Sequence, residues 1–257
     1  MKLKICLSAL TLCAVQAQAA VICLNFAEAD NNAVFYAGDS AGPLGTDGAY
    51  WNSTSSTTGL ESGTINNLKD DTGATTGVSA TWSSSNVWYT MEGNTPGEKT
   101  LSCGYLDDWG AGYLVTVTNI PYATYKVYGL FASDSNEGGA PPTVNILNTY
   151  VNGVLVFGGT EATSLLGYGT SQNTFNATGS YWTEVTATQI GNYWTANSSG
   201  ATLVIDGLSN NADGLGGRGS LTGIIIQDTS SVPEPSSAAL LMGVAGFLAC
   251  CSRRRRA

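Results

Sequence analysis

The sequence predicts an all-β protein: a jelly-roll-like antiparallel β-sandwich, with a signal helix at the N-terminus and a short transmembrane helix at the C-terminus. Gly, Ser, Thr and Asn are spread through residues 20–231, and the apolar segments between them are short and alternating. This pattern is typical of sandwiches and barrels. The same region sustains no apolar period of 3.6 residues, so we expect no long helix in it.

The N-terminus has the three parts of a secretory signal peptide. Lys2 and Lys4 precede an apolar run over residues 5–15, and Ala17-Gln18-Ala19 matches an A-x-A cleavage site. We therefore expect residues 1–19 to be removed during export, with residues 20–231 as a single β-sandwich domain that begins at Ala20.

Short apolar segments bounded by turn residues mark the strands of the sandwich. The expected strands are 21–26, 78–82, 87–91, 113–119, 124–132, 143–151, 154–157, 183–189, 201–208 and 221–227.

Three of these segments carry stronger signals. Residues 113–118 alternate, which places one apolar set on an inner face. Asn152-Gly153 is the preferred pair for a type I′ turn, so it predicts a hairpin. The successive isoleucines 224–226 indicate a central strand covered on both faces. By contrast, the Gly/Ser/Thr/Asn-rich stretches 38–77 and 158–181 predict loops, where binding surfaces commonly lie.

Charge and composition exclude several function classes. The mature region has roughly 18 carboxylates against about four Lys and Arg side chains, a net charge near −14, which disfavours binding to nucleic acid and to acidic polymers. The chain has no histidine, which excludes Ser-His-Asp and Cys-His catalysis and His-ligated metals.

Aromatic residues are the candidate ligand contacts. Trp51 and Trp109 lie in glycine-rich or acidic segments, and a tryptophan ring suits the C–H face of a sugar. Arg218 is the expected partner for a ligand hydroxyl or a loop aspartate. The alternative for each ring is a structural role in the core.

Acidic and thiol side chains suggest two further sites. Asp107 and Asp108 are the candidate ligands of a structural calcium ion, the alternative being a solvated acidic loop. No other cofactor is expected. Cys23 and Cys103 either form a disulfide, which would close a loop of about 80 residues and contribute about 4 kcal/mol, or remain two buried thiols.

The C-terminal residues 232–257 combine three features in a fixed order. Pro233-Glu234-Pro235 precedes an apolar segment over 238–251, and Arg253, Arg254, Arg255 and Arg256 follow it. As a helix, the segment spans about 21 Å, which is short against a bilayer core of about 30 Å. A tail anchor and a buried core helix are the alternatives.

This tail resembles the PEP-CTERM sorting signal. The resemblance implies that the helix inserts transiently into the membrane and that an exosortase removes the tail near Pro233, Glu234 and Pro235. The protein would then reside in the cell envelope or the extracellular matrix.

A second resemblance covers most of residues 21–227. The segments VICLNF (21–26), LKDDTG (68–73), GYLDD (104–108) and GRGSLTGIIIQ (217–227) look like secreted domains that accompany PEP-CTERM tails. Those domains are similar to galactose-binding-like and malectin-like sandwiches, which implies a glycan partner.

Together these features predict a secreted, non-catalytic matrix or envelope protein that binds extracellular polysaccharide or another glycan, or has a structural role there. The first alternative is a carboxylate-dependent glycosidase or polysaccharide lyase, which needs two carboxylates about 5 to 10 Å apart. The second is a calcium-stabilised structural or adhesion protein.

Overall fold

A computed structural model of the chain describes residues 20–26, 35–54, 61–88, 97, 101, 104–107, 112–131, 143–144, 148–157, 163–164, 182–186, 192–207 and 220–230. All of these belong to one compact unit, Ala20–Ser230. The predicted signal peptide and the predicted sorting tail lie outside the described residues.

Strands dominate the described part of the chain, as expected for an all-β protein. In chain order they are β1 (Val21–Asn25), β2 (Ser40–Ala41), β3 (Thr46–Asp47), β4 (Trp51–Ser53), β5 (Ser62–Ile65), β6 (Ser79–Ser84), β7 (Asn86–Trp88), β8 (Tyr105–Asp107), β9 (Tyr113–Thr118), β10 (Thr124–Phe131), β11 (Thr143–Val144), β12 (Thr149–Val151), β13 (Val154–Phe157), β14 (Thr163–Ser164), β15 (Tyr193–Ser199), β16 (Thr202–Gly207) and β17 (Ser220–Asp228). A 3₁₀ turn, Gly48–Tyr50, leads into β4.

The described strands form two main sheets. A seven-stranded sheet has the order β15-β10-β17-β1-β4, and β8 extends it by pairing with the start of β17 and with β7. A six-stranded sheet has the order β13-β12-β16-β9-β6-β5. The pairs β2–β3 and β11–β14 form separate two-stranded ladders. All of these pairings are antiparallel except β1–β4, which is parallel and departs from the antiparallel prediction.

The two main sheets enclose the principal core. The alternation in β9 and β16 turns Val115, Val117, Leu203 and Ile205 inward, and each of them is fully buried. From the seven-stranded sheet, Ile22, Leu24, Phe26, Val127, Trp194, Ile224 and Ile226 pack against them. The period-2 prediction for residues 113–118 is therefore confirmed.

A second apolar cluster covers part of the outer face of the seven-stranded sheet. Its buried members are Val21, Cys23, Ala41, Trp51, Leu101, Tyr128, Leu130 and Ile225. Because Ile225 faces this cluster while Ile224 and Ile226 face the principal core, β17 is covered on both faces, as the three isoleucines predicted.

The hairpin at Asn152-Gly153 is confirmed. Both residues have positive φ angles, 49° and 79°, and they join β12 to β13. Ile120-Pro121 lies in the connection between β9 and β10. Because β9 and β10 belong to different sheets, this connection crosses the sandwich instead of closing a hairpin.

Three local predictions are wrong. Residues 158–181 were expected to be loop, but they contain β14, which pairs with β11. Residues 38–77 were expected to be loop but contain β2 to β5, because β4 pairs with β1 and β5 pairs with β6 despite their polar sequences. Residues 183–189 were expected to be a strand, but within the described part of this range, 183–186, Glu184 makes an isolated bridge to Tyr193, and the full strand at this edge is β15. These errors arise because pairing partners override local composition.

No helix in the described part of the chain is long and apolar enough to cross a membrane. The tail segment 238–251 is not among those residues.

Candidate functional site

The outer face of the seven-stranded sheet carries a group of rings beside polar side chains near the edge formed by β15. We call this group the aromatic patch. It consists of Lys126, Tyr128, Trp182, Glu184, Tyr193, Thr195 and Gln227.

Strand register places the members of the patch together. In β10, Lys126 and Tyr128 alternate with the buried Val127, so both point to the outer face. Tyr128 lies opposite Thr195 in β15, and it lies opposite Ile225 in β17, two residues before Gln227. One face of three adjacent strands therefore supplies most of the patch.

Residues 182–186 add the remaining members alongside β15. Thr183 donates its backbone N–H to Asn192 Oδ1 at 2.8 Å, and its carbonyl oxygen accepts the N–H of Asn192 at 2.8 Å. Val185 N–H donates to the carbonyl oxygen of Tyr193 at 2.8 Å. These bonds hold Trp182 and Glu184 next to Tyr193.

The rings of the patch contact one another. The centroids of Tyr128 and Tyr193 are 6.0 Å apart, and those of Trp182 and Tyr193 are 6.4 Å apart in an edge-to-face arrangement. Tyr128 is 7% exposed, whereas Trp182 and Tyr193 are half-buried. Trp182 and Tyr193 are therefore the rings that a ligand can reach.

Polar contacts orient the groups around these rings. The Tyr128 hydroxyl donates to Gln227 Oε1 at 2.8 Å, and the Thr195 hydroxyl donates to Glu184 Oε1. The Lys126 ammonium lies 5.1 Å from the centre of the Tyr128 ring, within range of a cation–π interaction. The patch thus combines a cation, a carboxylate and an amide with its rings.

The tyrosines of the patch stay protonated at neutral pH. Burial raises the pKa of Tyr128, and the neighbouring Tyr193 and Glu184 raise it further. Burial, followed by the negative charge of Glu184, also raises the pKa of Tyr193. Both hydroxyls therefore remain hydrogen-bond donors.

The patch combines groups that can contact both parts of a polyol. A ring that is half-buried offers a face for C–H groups, while the carboxylate, amide and ammonium suit hydroxyl groups.

A cleft of about 430 Å³ lies nearby, between the edges formed by β13 and β15. Asn152 Nδ2 donates to Ser198 Oγ across it at 2.9 Å. Its lining has neither a ring nor a charged side chain, so it offers fewer recognition groups than the aromatic patch.

Of the predicted site residues, Trp51 occupies an unexpected position. It begins β4 instead of lying in a loop, and it is 7% exposed. Its indole stacks on Phe35, with the ring centroids 5.4 Å apart and the planes at 15°. Trp51 therefore packs within the outer cluster and presents no open face.

The other predicted site residues are mostly outside the described ranges. Trp109, Asp108, Cys103 and Arg218 lie there, as do Pro233, Glu234, Pro235 and Arg253 to Arg256. The backbone of Asp107 is in β8, where it pairs with Asn86 and Ser220. Among the residues that are described, no group of three acidic or thiol side chains is placed to hold a metal ion.

Cys23 is a free, buried thiol, which is the second of the two alternatives for this residue. Its Sγ lies 3.6 Å from Thr46 Oγ1 and donates a hydrogen bond to it.

Sequence reasoning did not select Tyr128, Trp182, Tyr193 or Glu184 as site residues. The available signal was the alternation of residues 125–131, which puts Tyr128 and Lys126 on one face. The missing information was the pairing of β10 with β15, a contact between residues about 65 positions apart.

Comparison with known proteins identifies one segment of the chain. Residues 231–256 match the PEP-CTERM protein-sorting motif, as the resemblance of the tail predicted. This motif implies export, anchoring through the C-terminus and processing by an exosortase. The match does not extend to the sandwich, and neither a curated protein nor a solved structure matches the chain.

Proposed function

We propose that this protein is an exported, exosortase-processed component of the cell envelope or the exopolysaccharide matrix, and that its sandwich binds a neutral glycan without turning it over. The observation that carries the binding proposal is the aromatic patch, in which Trp182 and Tyr193 are half-buried beside Glu184 and Thr195.

The charge of the protein supports a neutral glycan. The mature region carries a net charge near −14, which repels uronic-acid polymers at moderate ionic strength. A neutral sugar avoids this repulsion and still satisfies the polar groups of the patch.

Binding is tested by affinity electrophoresis of the exported protein on neutral and acidic polysaccharides from the producing cells. Trp182→Ala and Tyr193→Ala should each weaken retention on the neutral glycan about tenfold, which is about 1.4 kcal/mol. Tyr36→Ala is the matched control, because Tyr36 is 65% exposed and lies outside the patch. Equal retention of all three variants, with near-UV spectra showing intact folds, would refute recognition through this patch.

Processing is tested separately by mass spectrometry of the protein recovered from the cell surface. We expect the mature C-terminus to lie near Pro233-Glu234-Pro235, with residues 238–257 absent. Replacement of Pro233, Glu234 and Pro235 by alanine should leave the tail attached. A mature protein that retains Arg253 to Arg256 would contradict exosortase processing.

A further inference from the structure

The aromatic patch has a polar end, away from its accessible rings. Strand register places Asn197 of β15 directly opposite Lys126 of β10, and it places Lys126 directly opposite Gln227 of β17. Residues that lie opposite each other in paired strands project from the same face of a sheet. These three side chains therefore form one line across three adjacent strands, about 10 Å long at the usual spacing between strands. We call this line the polar row.

The outer face of β15 connects the polar row to the rings. Tyr193, Thr195 and Asn197 are alternate residues of this strand, and Trp194 between them is buried in the principal core, so these three project outward together. At a rise of about 3.4 Å per residue, Tyr193 and Asn197 lie about 14 Å apart along the strand. One sugar ring is too small to contact both side chains. A ligand that contacts both has several sugar rings in a chain.

Both ends of this path are open to a ligand, and its middle is low. Tyr193 is half-buried, and Asn197 is exposed. Between them, Thr195 is half-buried and lies opposite Tyr128, which is 7% exposed. The middle of the path therefore presents no protruding side chain that would block a chain of sugars. Ser199, the next outward residue of β15, is also exposed, so a ligand can continue past the polar row.

The polar row presents hydrogen-bonding groups to such a ligand. The Tyr128 hydroxyl donates to Gln227 Oε1 at 2.8 Å, which orients the amide and leaves its Nε2 group as a donor for the ligand. The Lys126 ammonium, 5.1 Å from the centre of the Tyr128 ring, is a second donor. Within the described part of the chain, the Asn197 side chain makes no hydrogen bond, so its amide can both donate and accept. A sugar hydroxyl, which also donates and accepts, matches this set of groups.

The two ends of the path offer different chemistry. Trp182 and Tyr193 present ring surfaces beside the Glu184 carboxylate, which accepts the Thr195 hydroxyl. The polar row instead presents an ammonium group and two amides. Ring surfaces suit the C–H faces of a sugar, and the ammonium and amide groups suit its hydroxyls. The two ends can therefore hold different sugar residues of the same chain.

We propose that the rings of Trp182 and Tyr193 and the polar row are two subsites for one linear neutral glycan, whose chain lies along β15 with at least three consecutive sugar residues in contact. This inference rests on the proposed function and specifies its ligand. The sandwich recognises the interior of a polymer in preference to a single sugar.

The proposal is tested by measuring how affinity depends on the length of the ligand. Neutral oligosaccharides of two, three, four and six residues are prepared by partial hydrolysis of the neutral polysaccharide of the producing cells. Isothermal titration calorimetry then gives the dissociation constant of each one with the exported protein. We expect the affinity to rise about tenfold from the disaccharide to the tetrasaccharide. It should then level off, because the path from Tyr193 to Asn197 is filled.

A variant of the polar row separates the two subsites. Asn197→Ala should lower the affinity for the tetrasaccharide about fivefold, the loss typical of one hydrogen bond, and leave the affinity for the disaccharide unchanged. Tyr193→Ala should weaken the binding of both oligosaccharides, because the disaccharide is held at the rings. Asn66→Ala is the matched control, since Asn66 is an exposed asparagine that follows β5 in the other main sheet.

Equal affinities for the disaccharide and the tetrasaccharide would overturn the proposal. So would an Asn197→Ala variant that binds the tetrasaccharide as tightly as Asn66→Ala does. In either case the proposed function stands if Trp182→Ala still weakens retention on the neutral glycan. Absence of binding to the polymer and to every oligosaccharide would refute the proposed function as well, so the two failures are distinguishable.

Discussion

Burial determines the chemistry of Cys23. Desolvation raises the pKa of this thiol to about 12, the hydrogen bond to Thr46 opposes the shift, and the charge of Asp71 adds to it. At pH 8 the reactive thiolate is then on the order of one part in ten thousand. We predict that the peptide containing Cys23 is not alkylated by iodoacetamide in the native protein and is alkylated within minutes in urea. Equal labelling in both conditions, or a mass that shows a disulfide to Cys103, would contradict this.

Asp70 stabilises its turn through hydrogen bonds to its charged form. Partial burial raises the pKa of Asp70, but the bonds from Thr72, Ala74 and Gly73 together outweigh burial and leave the pKa below its ordinary value. A lowered pKa in the folded state means that this contribution is present above about pH 4 and is lost as pH falls through the folded value.

Asp70→Asn should therefore flatten the acid limb of the stability curve, measured by urea unfolding between pH 7 and pH 3. A control variant, Asp206→Asn, should change the slope of the acid limb in the opposite direction. Burial raises the pKa of Asp206, so its folded-state contribution grows as pH falls, and Asp206→Asn should steepen the same limb. Curves that run parallel for the wild type and both variants would show that neither carboxylate is perturbed.

The burial of two tryptophan rings shows which part of the candidate site could be predicted from the sequence. Trp51 and Trp182 both lie in polar surroundings along the chain, and nothing local distinguishes them. Trp51 is buried because β4 pairs with β1 and Phe35 covers its indole. Trp182 is half-buried because residues 182–186 run along the outermost strand, β15. Their accessibility is decided by pairing between distant segments, which composition does not encode.

At the scale of elements, three strand pairs place a glycine directly opposite an aromatic residue. These pairs are Gly129–Trp194, Gly207–Tyr113 and Gly63–Trp82. In each case the ring covers the glycine, and a Cβ atom at Gly129 would lie 2.1 Å from the indole of Trp194. In such pairs the aromatic ring lies flat across the neighbouring strand and covers the glycine backbone, which has no side chain of its own to shield it from solvent.

We predict that Gly129→Ala lowers the free energy of unfolding by about 2 kcal/mol, because the indole is confined in the principal core and cannot move away freely. Adding Trp194→Leu to the Gly129→Ala variant should recover part of this loss, because the smaller leucine side chain leaves room for the Cβ atom of the alanine. Urea unfolding of the two single variants and the double variant measures the coupling. Strictly additive losses would mean that the two residues do not share this contact.

The strands that sequence analysis located are those with an unambiguous local signal. Alternation marked β9, and the turn residues at Asn152-Gly153 marked the β12–β13 hairpin. The strands that were missed, including β5 and β15, are rich in Ser, Thr, Asn and Gly. Their extended conformation is stabilised by ladders to β6 and β10, so it becomes predictable only when the partner strand is known.

At the scale of the whole molecule, the two ends of the described unit lie side by side. Val21 pairs with Gln227, and Asp228 donates to Ala20. The points at which the predicted signal peptide and the sorting tail leave the sandwich are therefore adjacent. Because β1 and β17 are central strands, both ends of the described unit are secured by the most extensively paired part of the fold.

The central position of β17 also determines how the molecule unfolds. Ile225 belongs to the outer cluster while Ile224 and Ile226 belong to the principal core, so neither cluster can lose its packing on this strand without disturbing the other. Trp51 and Trp182 report on the outer cluster, and Trp82 and Trp194 report on the principal core. We predict one cooperative transition in which tryptophan fluorescence and far-UV circular dichroism coincide, with equal calorimetric and van 't Hoff enthalpies. The double variant Trp51→Phe/Trp182→Phe removes both of these outer reporters and should leave the shape of the fluorescence transition unchanged. If the wild-type signal instead resolves into two steps, of which the double variant abolishes the first, the outer cluster unfolds independently and β17 does not couple the two faces of its sheet.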